Sequence, residues 1–263
     1  MSEEDKKYYE IGSITKVCTL IEMLSTRKSW ELSELCRAVG MPKTTVHRML
    51  LTLADNGYVV QEKQRGEYSL SFKLFSISSR VINHSQLVDI ARPFCKDLLA
   101  AIDETVNLCV VSGTEMLIID KQVTTQTLRQ DSIIGSSFSL IQSASGRVFL
   151  AFSDENEVNK TLQLIDNKNI PIPERESLLK EIEKIRKVGI AHDYEEVFQG
   201  VRCIAAPVFN YEDTVVATLS ISIPVVRLDK TTAANIEQQL LTTVGRISQR
   251  LGASTAVLSK LFM

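Results

Sequence analysis

Five polar side chains sit close together near the start of the chain: Lys43, Thr44, Thr45, His47 and Arg48. A lysine and two hydroxyls at a helix start can hold phosphate, because the unpaired N–H groups of the first turn and the helix dipole favour an anion there. An arginine and a histidine further along have the reach and donor geometry to contact base edges. The competing reading is a plain solvated helix face. Two other groupings suggest nucleophilic chemistry. Cys203 with His192 and Asp193 can be drawn as a thiol triad, and Ser143-Ala-Ser-Gly as a nucleophile turn, yet neither matches the local signature of such an enzyme. A thiol-based redox sensor using Cys203 or Cys109 would need an exposed thiol of lowered pKa. Arg202 adjoins Cys203, but neighbours on a strand point to opposite faces. The five cysteines, Cys18, Cys36, Cys95, Cys109 and Cys203, are scattered with no Cys-x-x-Cys pair. That pattern fits a reducing cytoplasm and supplies no metal site, and no cofactor is expected.

The polar cluster needs a helix to display it. Over residues 13–25, Ile14, Val17, Leu20, Ile21 and Leu24 recur at three- and four-residue steps, one face of a helix. A second short helix opens near Ser33, buries Leu35 and Val39, and stops at Gly40. Pro42 starts a third, which runs to about Asn56-Gly57 with Val46, Met49, Leu50 and Leu53 inward. Two short helices around a tight glycine turn form a helix-turn-helix. Runs at 58–63 and 67–70 flank the turn Gln64-Arg65-Gly66 and predict a hairpin, a wing with Arg65 at its tip. Phe72, Phe75, Val81 and Ile82 then give an apolar stripe on a linker helix, suited to pairing one head with another.

Charge and length agree with a divided chain. The 263 residues fit two domains, or one large one. Net charge is −2, but residues 12–80 carry ten Lys or Arg against six acids, and 86–263 carry eighteen against twenty-two. A mildly basic head on an acidic body is the asymmetry of a nucleic-acid reader. The charged start and the lack of any run near the ~20 apolar residues of a membrane span predict neither secretion nor insertion. Beyond residue 86 the spacing predicts a helix over 87–104, strands at 106–111, 116–120 and near 127–132, and helices over 143–152 and 174–188. Strands at 203–209 and 215–223 precede a last helix carrying Ile236, Leu240, Val244, Ile247 and Leu251. This order predicts an α+β unit with a mainly antiparallel sheet flanked by helices. Charge clusters such as that over 180–187 read as a solvated helix face.

The run from Leu32 to Leu53, followed by Gly57-Tyr-Val and Tyr68-Ser-Leu, resembles the DNA-binding domain of IclR-type transcriptional regulators. The second half resembles the same family's effector domain at Ala91-Arg-Pro, Glu104-Thr-Val-Asn-Leu, Gly146-Arg with Leu150-Ala151, and Gly200-Val-Arg-Cys-Ile-Ala-Ala-Pro-Val. Tyr68-Ser-Leu-Ser-Phe-Lys-Leu-Phe is most similar to the branch that senses ketodeoxygluconate-type sugar acids. Three positions depart from the family pattern: Asp103 where Gly is frequent, Ser139 where Pro is usual, and Arg147 where Lys is common.

The resemblance implies a winged helix-turn-helix over 1–71, a linker helix over 72–85 and a GAF-like effector-binding domain over 86–263. It implies double-stranded operator DNA as partner, a homodimer that can pair into a homotetramer, and a small carboxylate effector. The family's ligand positions fall on Gln130, Phe138, Ser143, Ala144, Asp193, Val201, Cys203, Ser220 and Ser222. Their chemistry is coherent. Ser143 opens a helix, Ser220 and Ser222 share one face of a strand, Asp193 and Gln130 suit sugar hydroxyls, and Phe138 and Val201 supply apolar wall. No enzymatic activity is expected.

Overall fold

The computed structural model describes residues 11–62, 66–83, 86–167 and 175–262. The chain divides into two compact units at residues 84 and 85. In the first, helices α1 (Gly12–Ser25), α2 (Leu32–Val39) and α3 (Lys43–Asp55) precede an antiparallel hairpin of β1 (Val59–Gln61) and β2 (Tyr68–Leu70), then α4 (Phe72–Asn83). Gly40 ends α2 in the left-handed region, φ 65°, where its N–H reaches the Cys36 carbonyl. A side chain there would be strained. Leu20, Leu24, Leu35, Val46, Leu50 and Leu53 close the core from three helices, each worth about 1.5–3 kcal/mol of burial. Trp30 adds what the strand pattern did not predict: it bridges to Tyr68, with N–H to carbonyl distances of 2.9 and 2.8 Å, and extends the hairpin on its helix side. Arg65 at the expected wing tip lies outside the described residues.

The second unit begins with α5 (Gln86–Ile102), β3 (Thr105–Ser112), β4 (Glu115–Gln122) and β5 (Ser137–Ser139). Helices α6 (Ala144–Phe152), α7 (Glu155–Asn167) and α8 (Arg175–Val188) follow, then β6 (Ala191–Tyr194), β7 (Val201–Phe209) and β8 (Val215–Pro224). A 3-10 turn (Val225–Arg227), α9 (Lys230–Arg250) and α10 (Thr255–Phe262) complete it. The strands form one antiparallel sheet in the order β5-β4-β3-β8-β7-β6. Helices α5 and α9 pack on one face of this sheet and α6 on the other, with α8 behind α6.

The central strands show why both faces are covered. Leu219, Ile221 and Ile223 alternate with Thr218, Ser220 and Ser222 along β8, and all six are buried. An alternating apolar and polar pattern on a strand buried on both sides means that one face packs an apolar core and the other contains something polar.

The strand expected near 127–132 is absent. Residues 123–136 run without regular structure, and the short β5 follows at 137–139. Two carbonyls of the 127–132 run are taken by side chains: Arg227 Nη1 donates to Leu128 O at 2.7 Å, and Lys121 Nζ donates to Ser132 O. Helices α7 and α10 and the edge strand β6 were not anticipated.

Asp103 adopts φ 50° at the end of α5, a left-handed position that favours Gly. Asp is among the few other residues that tolerate it. It also accepts hydrogen bonds from Thr124 Oγ1 at 2.8 Å and Gln126 Nε2 at 2.5 Å, which hold its carboxyl below the usual range.

Gly146 fixes the approach of α6 to the preceding turn. A Cβ built on it would lie 1.9 Å from the Leu140 carbonyl oxygen, so Gly146→Ala forces the helix off the turn. Better helix propensity returns only about 1 kcal/mol, against an overpacking cost of about 3 kcal/mol. We expect the net loss to appear as a lower denaturation midpoint for the effector unit. An unchanged midpoint would mean that the turn yields freely.

Candidate functional site

The first candidate surface is the outer side of α3. Lys43, Thr44, His47 and Arg48 are exposed and Thr45 is half-buried. They divide between two grooves. Lys43 and His47 face the hairpin across an open groove of about 700 Å³, whose far wall includes Gln61, Gly66 and Tyr68. Thr45 and Arg48 face α1, with Ser13, Ile14 and Val17 opposite. Pro42 leads directly into Lys43 and leaves the first N–H groups of α3 at the surface, since no side chain caps them. The helix thus presents free donors and cations on the side away from the core.

The second candidate is a cavity between the sheet and the start of α6. Strand register builds it. Across β6, β7 and β8, Asp193 pairs with Cys203 and Cys203 with Ser222. In the next row Ala205 pairs with Ser220, and Ser220 with Asn107 on β3. Paired residues share a face, so side chains more than a hundred positions apart meet in one patch. Ser143, Ala144 and Ser145 close it from the helix side, and Ile118 and Phe138 supply apolar wall. The remaining wall comes from two segments without strand or helix: Gln130 and Ser132 in 123–136, and Val197 and Phe198 in the turn after β6.

Eight of the nine positions expected from the sequence therefore meet here. Val201 does not line the cavity: it lies at the first residue of β7, paired with Pro224, and Val197 and Phe198 from the preceding turn provide apolar wall. Besides Val197 and Phe198, the sequence reading missed Asn107, Ile118, Ser132 and Ser145. Alternation in β3 puts Asn107 on a polar face, but only the β3–β8 register shows which neighbours that face has.

The cavity is tight and uncharged except for Asp193. Its volume is about 20 Å³, room for one water, and no Lys or Arg lines it among the described residues. Ser143 Oγ accepts from Gly146 N at 3.1 Å, which caps α6. Asp193 is 1% exposed, and burial raises its pKa despite the Glu196 N–H, 2.7 Å from Oδ1. Glu196 on the following turn adds like charge, and Arg147 on α6 offsets part of it. Because the folded-state pKa lies above the unfolded one, ionising Asp193 weakens the fold as pH rises through that value.

Arg147, buried on α6, holds the cavity's far side. Its guanidinium donates to Glu196 Oε2 at 2.6 Å and to the His192 carbonyl at 2.5 Å, while Nε faces Glu181 Oε1 on α8 at 3.3 Å without hydrogen-bond geometry. A lysine could not span three such partners. On the near side, Arg227 binds Glu104 through two contacts of 2.6 Å and reaches Leu128 O, which fixes the foot of the 123–136 segment.

Thiol chemistry finds no support in this geometry. Burial pushes both Cys203 and Cys109 up to about 12, so each stays a protonated, unreactive thiol at neutral pH. Among the described residues no group of His, Cys, Asp and Glu is placed to hold a metal ion, and no helix is long and apolar enough to cross a membrane.

Comparison with known proteins identifies both units. Residues 13–63 match the IclR helix-turn-helix domain, and residues 79–249 match the bacterial transcriptional regulator IclR C-terminal family. The HTH-type transcriptional regulator KdgR of Escherichia coli is 33% identical over 251 residues, covering 94% of this chain and 95% of the relative. The transcriptional repressor IclR of Escherichia coli is 30% identical over 225 residues, 83% and 82% of the two chains. In three dimensions the Thermotoga maritima IclR crystal structure superposes with a TM-score of 0.70 at 27% identity, over 92% of this chain and all of that one. These relatives are transcriptional regulators and not enzymes, which decides against the hydrolase alternative. A DNA-reading head and an effector-binding body, matched in order along the chain, make this protein a member of the IclR family of DNA-binding transcriptional regulators.

Proposed function

We propose that operator binding by this regulator is controlled by a small carboxylate, a sugar acid or a 2-keto acid derived from one, held in the cavity at the start of α6. The observation that carries this reading is the row of strand hydroxyls, Ser220 and Ser222, facing the first residues of a helix in a site without Lys or Arg. Helix-start N–H groups and hydroxyls can hold an anion together. Gln130 and Asp193 add polar capacity for sugar hydroxyls. Similarity to KdgR supports the sugar-acid branch. At about 20 Å³ the cavity is far below the ~300 Å³ typical of ligand pockets, so binding requires the 123–136 segment and the turn after β6 to move outward.

In the head, Lys43, Thr44 and Thr45 serve as phosphate contacts and His47 and Arg48 as base contacts, with Arg65 assigned to the wing. The protein acts as a symmetric dimer that can pair into a tetramer, in keeping with two-half-site operators. Exposed Phe72 and Phe75 on α4, at 91% and 70%, support head-to-head pairing along the linker helix; the side chain of Val81 lies outside the described residues. The functional division follows 1–71, 72–85 and 86–263. With genomic DNA as target, the place of action is the cytoplasm.

Three expected outcomes test this reading. Arg48→Ala weakens operator binding by about 1–3 kcal/mol of base discrimination while effector binding persists. Lys43→Ala instead weakens all sequences alike and flattens the salt dependence. Gel-shift titrations at several salt concentrations separate the two, and unchanged operator affinity would remove Arg48 from the interface.

In the body, Ser220→Ala with Ser222→Ala lowers carboxylate affinity at least tenfold, given about 1.5–3 kcal/mol per hydrogen bond to a charged group. Calorimetry reads the loss directly. Tight binding of an uncharged aromatic compound, with sugar acids and keto acids inert, would overturn the assignment.

The third outcome concerns protons. An anion beside Asp193 raises its pKa further, so binding takes up a proton between the free and liganded values. Affinity therefore falls as pH rises through that window, by up to tenfold per pH unit. Calorimetry in two buffers of different ionisation enthalpy measures the uptake, which Asp193→Asn abolishes. Binding without proton uptake in the native protein would place the anion away from Asp193.

A further inference from the structure

Asn107 is buried, 2% exposed, on the cavity face of β3. Its two side-chain ends do different things. Oδ1 accepts the Ser132 hydroxyl at 3.0 Å, and Nδ2 donates to Ser222 Oγ at 3.2 Å. A carboxamide oxygen only accepts and its NH2 only donates, so with the amide in this orientation the chain runs from Ser132 through Asn107 to Ser222. Ser132 spends its one hydrogen on Asn107. Ser222 receives a hydrogen from Asn107 and keeps its own.

That hydrogen has two destinations. One is Cys203 Sγ, 3.6 Å away, a weak acceptor. The other is the cavity that Ser222 lines. Bonds in such a chain polarise one another, and each strengthens the next as a donor. The last hydroxyl of a chain that begins in the 123–136 segment is therefore primed to donate to whatever fills the cavity.

We propose that Asn107 is a specificity-determining positioning residue: by donating to Ser222 it makes that hydroxyl a hydrogen-bond donor toward the cavity, and so selects a carboxylate over the isosteric carboxamide. The proposal rests on the cavity being a carboxylate site. The discrimination is one of hydrogen-bond polarity. A carboxylate offers one acceptor oxygen to Ser222 and another to the N–H groups at the start of α6, whereas a carboxamide has a single oxygen and must set its NH2 against one of these donors.

The test is a double-mutant cycle read with two ligands of each shape: pyruvate with pyruvamide, and gluconate with gluconamide, titrated into the full-length protein by calorimetry. Asn107→Leu, close in volume, should weaken the bound acid at least tenfold and change the affinity of its amide less than threefold. In a Ser222→Ala background the same substitution should cost the acid less than threefold, because the chain it acts through is gone. Should Asn107→Leu fail to fold, as judged by its unfolding midpoint, Asn107→Ser carries the same expectations. Equal losses for acid and amide, or the same tenfold loss in both backgrounds, would reduce Asn107 to a packing residue and overturn the proposal while leaving the carboxylate reading intact. Failure of both acids to bind the unaltered protein would instead overturn the carboxylate reading, and the role of Asn107 with it.

Discussion

The effector unit depends on one constraint, the register of β8 between its two neighbours. Ser220 pairs with Asn107 on one side and Ala205 on the other, and Ser222 pairs with Cys203. A slip of one residue would turn Leu219, Ile221 and Ile223 into the cavity and bury three hydroxyls in the apolar layer under α5 and α9. Each buried hydroxyl without a partner costs about 1–3 kcal/mol, so register is strongly specified. The native arrangement already leaves Thr218 Oγ1 without a hydrogen-bond partner. Specification of the fold and assembly of the polar patch are thus the same event.

The rest of the site is added to that patch by contacts of another kind. Helix α6 packs closely on the turn at Leu140 because Gly146 has no side chain to hold it off, and on the sheet side Ala191 and Ala205 are small. Arg147 and the Glu104–Arg227 pair then tie irregular segments to rigid elements. Buried ion pairs add little net stability, since desolvation offsets most of the attraction, but removing one partner is costly. Their service here is positional. Arg147 holds the turn after β6 through Glu196, and Arg227 holds the foot of 123–136. Each segment is pinned by a few directional contacts, with no strand ladder beneath the residues that face the cavity. That makes them the parts of the wall able to move at low cost, as an almost closed cavity requires.

The head solves a different problem. Its core uses nine buried side chains from three helices, Trp30 and the hairpin, and that small core frees the outer side of α3 for charge. Two grooves flank α3: Lys43 and His47 line the one toward the hairpin, and Thr45 and Arg48 line the one toward α1. Exposed Phe72 and Phe75 leave an apolar surface on α4.

Local pattern determined much of this protein. Apolar steps of three and four residues gave α1 and α3 nearly to the residue, and Gly40 with Pro42 gave the turn between α2 and α3, because helix periodicity and backbone stereochemistry are properties of short segments. Alternation in β3, β4, β7 and β8 was legible for the same reason, and so was the family, through motifs spread over both units. Contacts between distant segments were not legible. The run near 127–132 has strand-like composition, yet Arg227 and Lys121 take two of its carbonyls; β6 is four residues at a sheet edge, too short to declare itself. Asn107 is a polar residue on an apolar strand until the β3–β8 register sets it against Ser222 and the 123–136 segment lays Ser132 over it. The sequence by itself determined which faces exist. Tertiary structure decided which faces meet, because a hydrogen bond between residues 107 and 222 is fixed by the pairing of strands and not by anything within reach along the chain.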